Sequence, residues 1–193
     1  MNVALRRPMS LAEFLDWEDR QPLRYEFDGI RTIAMTGGTW AHAVIQGNLA
    51  AALKPRLRGK PCQFIGNDLK IEVAGSIRYP DGFVTCTPGA HGDKMAREPV
   101  VIFEVLSEST AGVDMVVKNR EYAATPSIQR YVVLAQDVMG ATMFERIGED
   151  WVGHVLGPDS LLSMPEIDVE VPIAEFYEGV DLPPPSAEDS RPA

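Results

Sequence analysis

A chain of 193 residues, 45% apolar and 24% charged, has the composition of one ordinary globular domain able to bury a real core. Its formal net charge of −10 argues against broad nucleic-acid binding through a basic surface, while leaving room for a local basic groove or a carboxylate-rich metal site. The two cysteines, Cys62 and Cys86, follow no metal spacing and read most simply as belonging to a reduced, cytoplasmic compartment. Arg6 and Arg7 are followed by no apolar stretch, so neither a secretion signal nor a membrane span is expected.

Ser10 and Glu13 form a capping-box pattern before a short helix in which Leu11, Phe14 and Leu15 share an apolar face. The run Leu23 to Phe27 leads through Asp28-Gly29 to a second run, Ile30 to Met35, and Asp-Gly between two such runs predicts a hairpin. Gly37-Gly38-Thr39 opens a second helix with Thr39 as N-cap. His42, Ile45, Leu49 and Leu53 share a face of that helix, and Pro55 is expected to end or kink it. Leu69, Ile71 and Val73 alternate with Lys70 and Glu72, as in a half-buried strand. Tyr79-Pro80-Asp81-Gly82 precedes an extended stretch from Phe83 to Thr85, and residues 86–98, rich in Gly, Pro and charge, read as a loop.

Residues 100–106 are the most hydrophobic run of the chain, a strand buried on both faces. Ser107-Glu108-Ser109-Thr110 follows, then a helix over about residues 112–124. Tyr131 to Ala135 forms another apolar strand, and strands 141–147 and 151–156 are joined through Gly148-Glu149-Asp150 as a hairpin. Ile173 to Tyr177 predicts a last helical turn, and Pro183 to Ala193 a disordered tail beyond a single domain of residues 1–182. The expected fold is mixed α+β: a central mixed sheet flanked by helices, with hairpins at both ends and the 100–106 strand near the centre.

Glu104 is the one polar side chain in that buried run. A carboxylate there is costly unless a cation, a donor network or a proton compensates it, so it has a strong partner or a function. Glu26, Asp81 and Lys118 complete a set with it. Carboxylates converging on one point make a hard-oxygen site suited to magnesium or manganese, and a nearby lysine can stabilise charge developing on a phosphate. Each residue also has a plainer reading. Tyr-Pro-Asp-Gly is an ordinary turn sequence, Glu26 can pair with Arg24 or Arg31, and Lys118 can pair with Asp114 one helical turn away. His42 on an apolar face is commonly a core histidine. No P-loop, Gly-x-Ser-x-Gly elbow or His-Glu-x-x-His motif occurs.

The ordered series Tyr25-Glu26-Phe27-Asp28-Gly29, His42, Pro80-Asp81, Glu104-Val105-Leu106-Ser107, Ser109-Thr110, Asp114, Lys118 and Tyr122-Ala123 resembles a large bacterial family of restriction-endonuclease-like proteins in the PD-(D/E)XK nuclease superfamily. The similarity spans roughly residues 10–178. It implies a restriction-endonuclease-like core and metal-dependent cleavage of DNA. Asp81 and Glu104 would bind Mg2+ or Mn2+, Lys118 would be the third catalytic residue, and Glu26 and His42 would be accessory. The superfamily's usual lysine position, two residues after the strand carboxylate, is Leu106 here, so the resemblance implies that Lys118 supplies the cation from the following helix. The expected partners are DNA and a second copy in a homodimer, with no membrane. The alternative is a non-catalytic DNA- or protein-binding module that keeps the nuclease fold.

Overall fold

A computed structural model of the chain describes residues 8–35, 37–106 and 113–182. The Ser107–Thr110 segment and the tail from Pro183 lie outside the described residues, as do Met1–Arg7. Helix α1, Leu11–Glu18, starts at the expected capping box: the Glu13 N–H donates to Ser10 Oγ at 3.3 Å and the Ser10 N–H to the Glu13 carboxylate at 2.8 Å. Strands β1, Tyr25–Phe27, and β2, Thr32–Ala34, pair antiparallel around Asp28-Gly29. Asp28 accepts from the Ile30 and Arg31 N–H groups, and Gly29 takes the positive φ of 86° that a side chain would resist.

Helix α2, Trp40–Leu57, is capped by Thr39, whose hydroxyl accepts from the His42 N–H. It ends two residues past Pro55, closing with the Arg58 N–H on the Pro55 carbonyl. Then follow β3 (Gln63–Gly66), β4 (Lys70–Val73), β5 (Ser76–Arg78), β6 (Gly82–Thr85), β7 (Met95–Ala96) and β8 (Pro99–Val105). Helix α3 is described over Val113–Ala123. The chain continues through β9 (Arg130–Leu134), β10 (Ala141–Ile147), β11 (Asp150–Leu156), β12 (Leu161–Met164) and β13 (Val169–Pro172) to a short helical turn over Ile173–Tyr177. Strands β3, β5, β12 and β13 carry too few alternating positions to stand out in the sequence, and β7 lies within the expected 86–98 loop.

The strands form a six-stranded mixed sheet in the order β11-β10-β9-β8-β6-β3, a five-stranded sheet in the order β2-β1-β5-β4-β7, and the β12-β13 pair. The architecture is thus mixed α+β, with β8 central in the larger sheet and parallel to β9 across α3. Alternation along β8 divides the core. Val101, Phe103 and Val105 join Ile45, Leu49 and Leu53 of α2 on one face, while Ile102 joins Tyr122 of α3 and Ile71 and Val73 of β4 on the other. Position 104 has the parity of Ile102, so Glu104 faces α3.

Two expectations fail. Lys70 was to face solvent, but it is buried because its ammonium donates to Glu18 of α1 at 2.6 Å. The cysteines are bonded to each other: β3 and β6 pair Gln63 with Thr85, so Cys62 and Cys86 one step beyond have Cα atoms 3.9 Å apart. The compartment inferred from unpaired cysteines loses that support. Among the described residues no helix is long and apolar enough to cross a membrane.

Candidate active site

Asp81 stands immediately before β6, and the β6–β8 register pairs Gly82 with Phe103. Continuing that antiparallel register by one residue brings Asp81 opposite Glu104. The pairing is locked at this end: the Val105 N–H donates to Asp81 Oδ2 at 2.6 Å. Gly82 is required beside it, since a Cβ there would lie 2.6 Å from the Phe64 ring. So the turn-like Tyr-Pro-Asp-Gly sequence delivers its carboxylate to the buried strand's end rather than to solvent.

The other oxygen of Asp81 faces α2. His42 Nε2 lies 3.0 Å from Oδ1, and the Gln46 side-chain amide donates to the same oxygen at 2.5 Å. His42 and Gln46 are one turn apart, so they share a face. The sequence reading singled out His42 and passed over Gln46, which that i,i+4 spacing could have found. The hydrogen bond to Asp81 holds the His42 pKa above its ordinary value; burial works against it, and the charges of Asp81 and Glu104 add to it. The remaining nitrogen, Nδ1, is buried with no hydrogen-bond partner among the described residues.

Across β8, Glu104 Oε1 accepts from Lys118 Nζ and from the Tyr122 hydroxyl, both at 3.0 Å. Lys118 and Tyr122 are also one turn apart, on α3. Oε2 of Glu104 carries no hydrogen bond among the described residues. Burial pushes the Glu104 carboxyl up to about 7; Lys118 pulls it down, while Asp81 and Glu26 push it further up. Burial also opposes the Lys118 charge, but Glu104 and Glu26 outweigh it and hold the ammonium above its ordinary pKa.

Glu26, on β1, reaches the site through Lys118, with Oε1 at 3.5 Å from Nζ. Its oxygens are otherwise taken by the Tyr79 N–H at 3.1 Å and Arg78 Nη1 at 3.2 Å. Neither sequence alternative for it occurs, because Arg24 pairs with Asp68 and Arg31 with Asp28. Arg78 itself forks onto Glu121 of α3, Nε to Oε2 and Nη2 to Oε1, each at 2.7 Å. Arg78 and Glu121 were not foreseen: a three-residue strand gives no burial signal, and their roles exist only where the smaller sheet meets α3.

The Uma2 family, described as "Putative restriction endonuclease", matches residues 11–174. The chain belongs to the Uma2 family. Two Synechocystis sp. proteins are similar: slr1290, 29% identical over 176 residues, covering 89% of this chain and 93% of its own length, and sll1609, 27% identical over 154 residues, covering 77% and 87%. The crystal structure of a "putative nuclease belonging to DUF820" from Anabaena variabilis superposes with a TM-score of 0.72 at 17% identity, covering 89% of this chain and 98% of that one. At that identity the likeness shows the fold. Within this Uma2 chain, Asp81 lies with His42 and Gln46 at the start of β6, and Glu104 lies with Lys118, Glu26 and Tyr122 on the adjoining β8.

Proposed function

We propose that this chain is a divalent-metal-dependent endonuclease that hydrolyses phosphodiester bonds in nucleic acid, with DNA as substrate. The observation that supports the reading is the placement of Asp81 opposite Glu104 by the β6–β8 register, with the Val105 N–H on Asp81 and Lys118 on Glu104 from the following helix. The alternative of a solvated Lys118 paired only along its own helix does not account for its ion pairs with Glu104 and Glu26.

The donor set fits magnesium or manganese. Among the described residues it offers two hard carboxylates, one with an oxygen free of hydrogen bonds, and no thiolate. Among the described residues no group of three or more His, Cys, Asp or Glu side chains is arranged to hold an ion, so water and substrate oxygens would complete the shell, as magnesium's readily do. Asp81 and Glu104 would hold the ion. When bound, it supplies Lewis-acid polarisation of the phosphate. The protein's own residues do the rest. His42, Gln46 and the Val105 N–H fix the orientation of Asp81 before substrate arrives. Tyr122 holds Glu104, and Glu26 keeps Lys118 charged and in reach. The ammonium then meets negative charge developing on the phosphate without reorganising.

Titration calorimetry with magnesium and manganese, followed by cleavage of supercoiled, linear and single-stranded DNA, tests this. The expected result is ion binding and cleavage, both lost in Asp81→Asn. A wild-type protein that binds no ion and cuts no nucleic acid sinks the proposal and leaves the binding-module reading, which the net charge of −10 favours. Sedimentation of the full chain tests the expected homodimer.

A further inference from the structure

One edge of the six-stranded sheet is long and open. β11, Asp150–Leu156, is the outermost strand beyond β10 and has seven residues. The other edges of the six- and five-stranded sheets are shorter: β3 has four residues, β2 three and β7 two. A short edge gives another chain little to pair with, whereas a long one invites pairing unless Lys, Pro or a bulge blunts it. β11 contains no Lys, Arg or Pro, and its ladder with β10 runs its whole length without a bulge.

β10 decides which backbone groups of β11 face outward. The Arg146 N–H donates to the Gln129 carbonyl beside β9, so Arg146 turns its backbone away from β11. Trp151 stands opposite Arg146, and by alternation Trp151, Gly153 and Val155 turn their N–H and carbonyl groups to the open edge. Among the described residues nothing pairs with those groups. The side chains add to this. Val155 is the most exposed large apolar side chain among the described residues, at 87%. It shares a face of β11 with Trp151, which stacks on Phe144 and forms one wall of a cleft of about 430 Å3 with Met115, Val116 and Asn119 of α3.

A second β11, running antiparallel, fits this edge best in one register. With Gly153 on a two-fold axis, Trp151 stands opposite Val155 of the partner subunit, and all three outward-facing residues of each strand are bonded. Moving the axis to Val152 or His154 pushes one of the three past the end of the partner strand. The centred register sets an aromatic ring against a β-branched side chain, a favourable cross-strand pair, and covers Val155 in both copies. On the opposite face Val152 meets His154 of the partner subunit and Asp150 meets Leu156 of the partner subunit, so no like charges oppose one another. The pairing is isologous and closes at two copies.

We propose that β11 is the interface of the expected homodimer: two copies join edge to edge, antiparallel about Gly153, into one continuous sheet. β11 lies three strands from β8, so each copy keeps its own Asp81 and Glu104, and the interface is independent of the nuclease reading.

Sedimentation equilibrium and amide hydrogen exchange on the full chain test it. Wild type should be a dimer at micromolar concentration, with the Trp151, Gly153 and Val155 amides protected. Val155→Lys should raise the dimer dissociation constant at least about tenfold, because an edge lysine blocks strand pairing. Its circular dichroism should be unchanged, since the side chain it replaces is exposed. Val138→Lys adds the same charge at an exposed position outside β11 and should leave the constant as it is. In the Val155→Lys monomer the three outward amides should exchange fast, while those of Val152 and His154, bonded to β10, stay protected. A monomeric wild type overturns the proposal, as does a dimer that Val155→Lys leaves intact or that Val138→Lys weakens equally. Protection of the three amides in a Val155→Lys monomer also overturns it, because the chain's own segments would then cover β11. None of these outcomes depends on cleavage, so the nuclease reading stands or falls separately.

Discussion

Two of the buried clusters of charge among the described residues are built differently. In the first, Glu18 of α1 receives the Lys70 ammonium on Oε2 at 2.6 Å and the Tyr79 hydroxyl on Oε1 at 2.8 Å. Lys70 also lies 3.8 Å from Asp19, which pairs with Lys94 at 3.0 Å, so two carboxylates meet two cations and both Glu18 oxygens are occupied. In the second, Asp81, Glu104 and Glu26 gather around Lys118, with Arg78 on the far side shared with Glu121. Carboxylates there outnumber cations, one Glu104 oxygen is left open among the described residues, and the Glu104 pKa is pushed up to about 7. The first arrangement is complete without a ligand and anchors α1 to the smaller sheet. The second is electrostatically improved by adding positive charge. Burial alone does not single out a candidate site; buried charge left uncompensated does.

The largest effect should come from removing the uncompensated charge. Glu104→Gln is expected to reduce metal-dependent cleavage by ~10³-fold or more while leaving the metal-free fold as stable as before or slightly more so. Steady-state cleavage paired with thermal melting would show this; an active Glu104→Gln protein would remove the distinction between the clusters. The balanced cluster should behave in the opposite way. Lys70→Met leaves Glu18 buried without its cation and should cost about 3–5 kcal/mol of unfolding free energy, with activity per folded molecule unchanged. Urea titration measures it, and Glu18→Gln added to Lys70→Met should recover part of the loss.

Next in size, Lys118→Ala should lower cleavage by ~10²-fold without weakening metal binding, because a positive charge beside the ion has gone. Calorimetry and cleavage on the same protein separate the two; unchanged cleavage would make Lys118 a purely structural partner of Glu104. The smallest expected effect is on pH dependence. Glu104 holds its proton more tightly folded than unfolded, its pKa being about 7 against an ordinary 4.5. Stability of the metal-free protein should therefore fall as pH rises from about 4.5 through 7, by on the order of 1–3 kcal/mol from this group. Affinity for a divalent ion should rise over the same window, since the ion must displace that proton. Melting curves with and without manganese would show opposite slopes, and Glu104→Gln should flatten both.

Much was legible in the chain itself. The capping box of α1, the Asp28-Gly29 and Gly148-Glu149 turns, and the α2 face carrying His42, Ile45 and Leu49 follow from local rules that act within a few residues. Glu104 stood out because an acid inside an apolar run contradicts its surroundings, a contrast that needs no partner to be seen. The resemblance series also put Asp81 and Lys118 beside it. What the sequence could not decide is everything that depends on which strands become neighbours. Asp81 sits in a turn motif and comes opposite Glu104 only because β6 pairs with β8 in one register. Lys70 belongs to an alternating strand and is buried only because α1 brings Glu18 against it. Cys62 and Cys86 are 24 residues apart and bond only because β3 and β6 are adjacent. Gln46, Arg78 and Glu121 acquire partners 35, 52 and 43 residues distant, from Asp81, Glu26 and Arg78 in turn. Local propensity, set by backbone sterics and side-chain spacing, is written residue by residue. Pairing is chosen by the whole chain burying its apolar faces at once, and that choice alone turned four scattered charged residues into a candidate site.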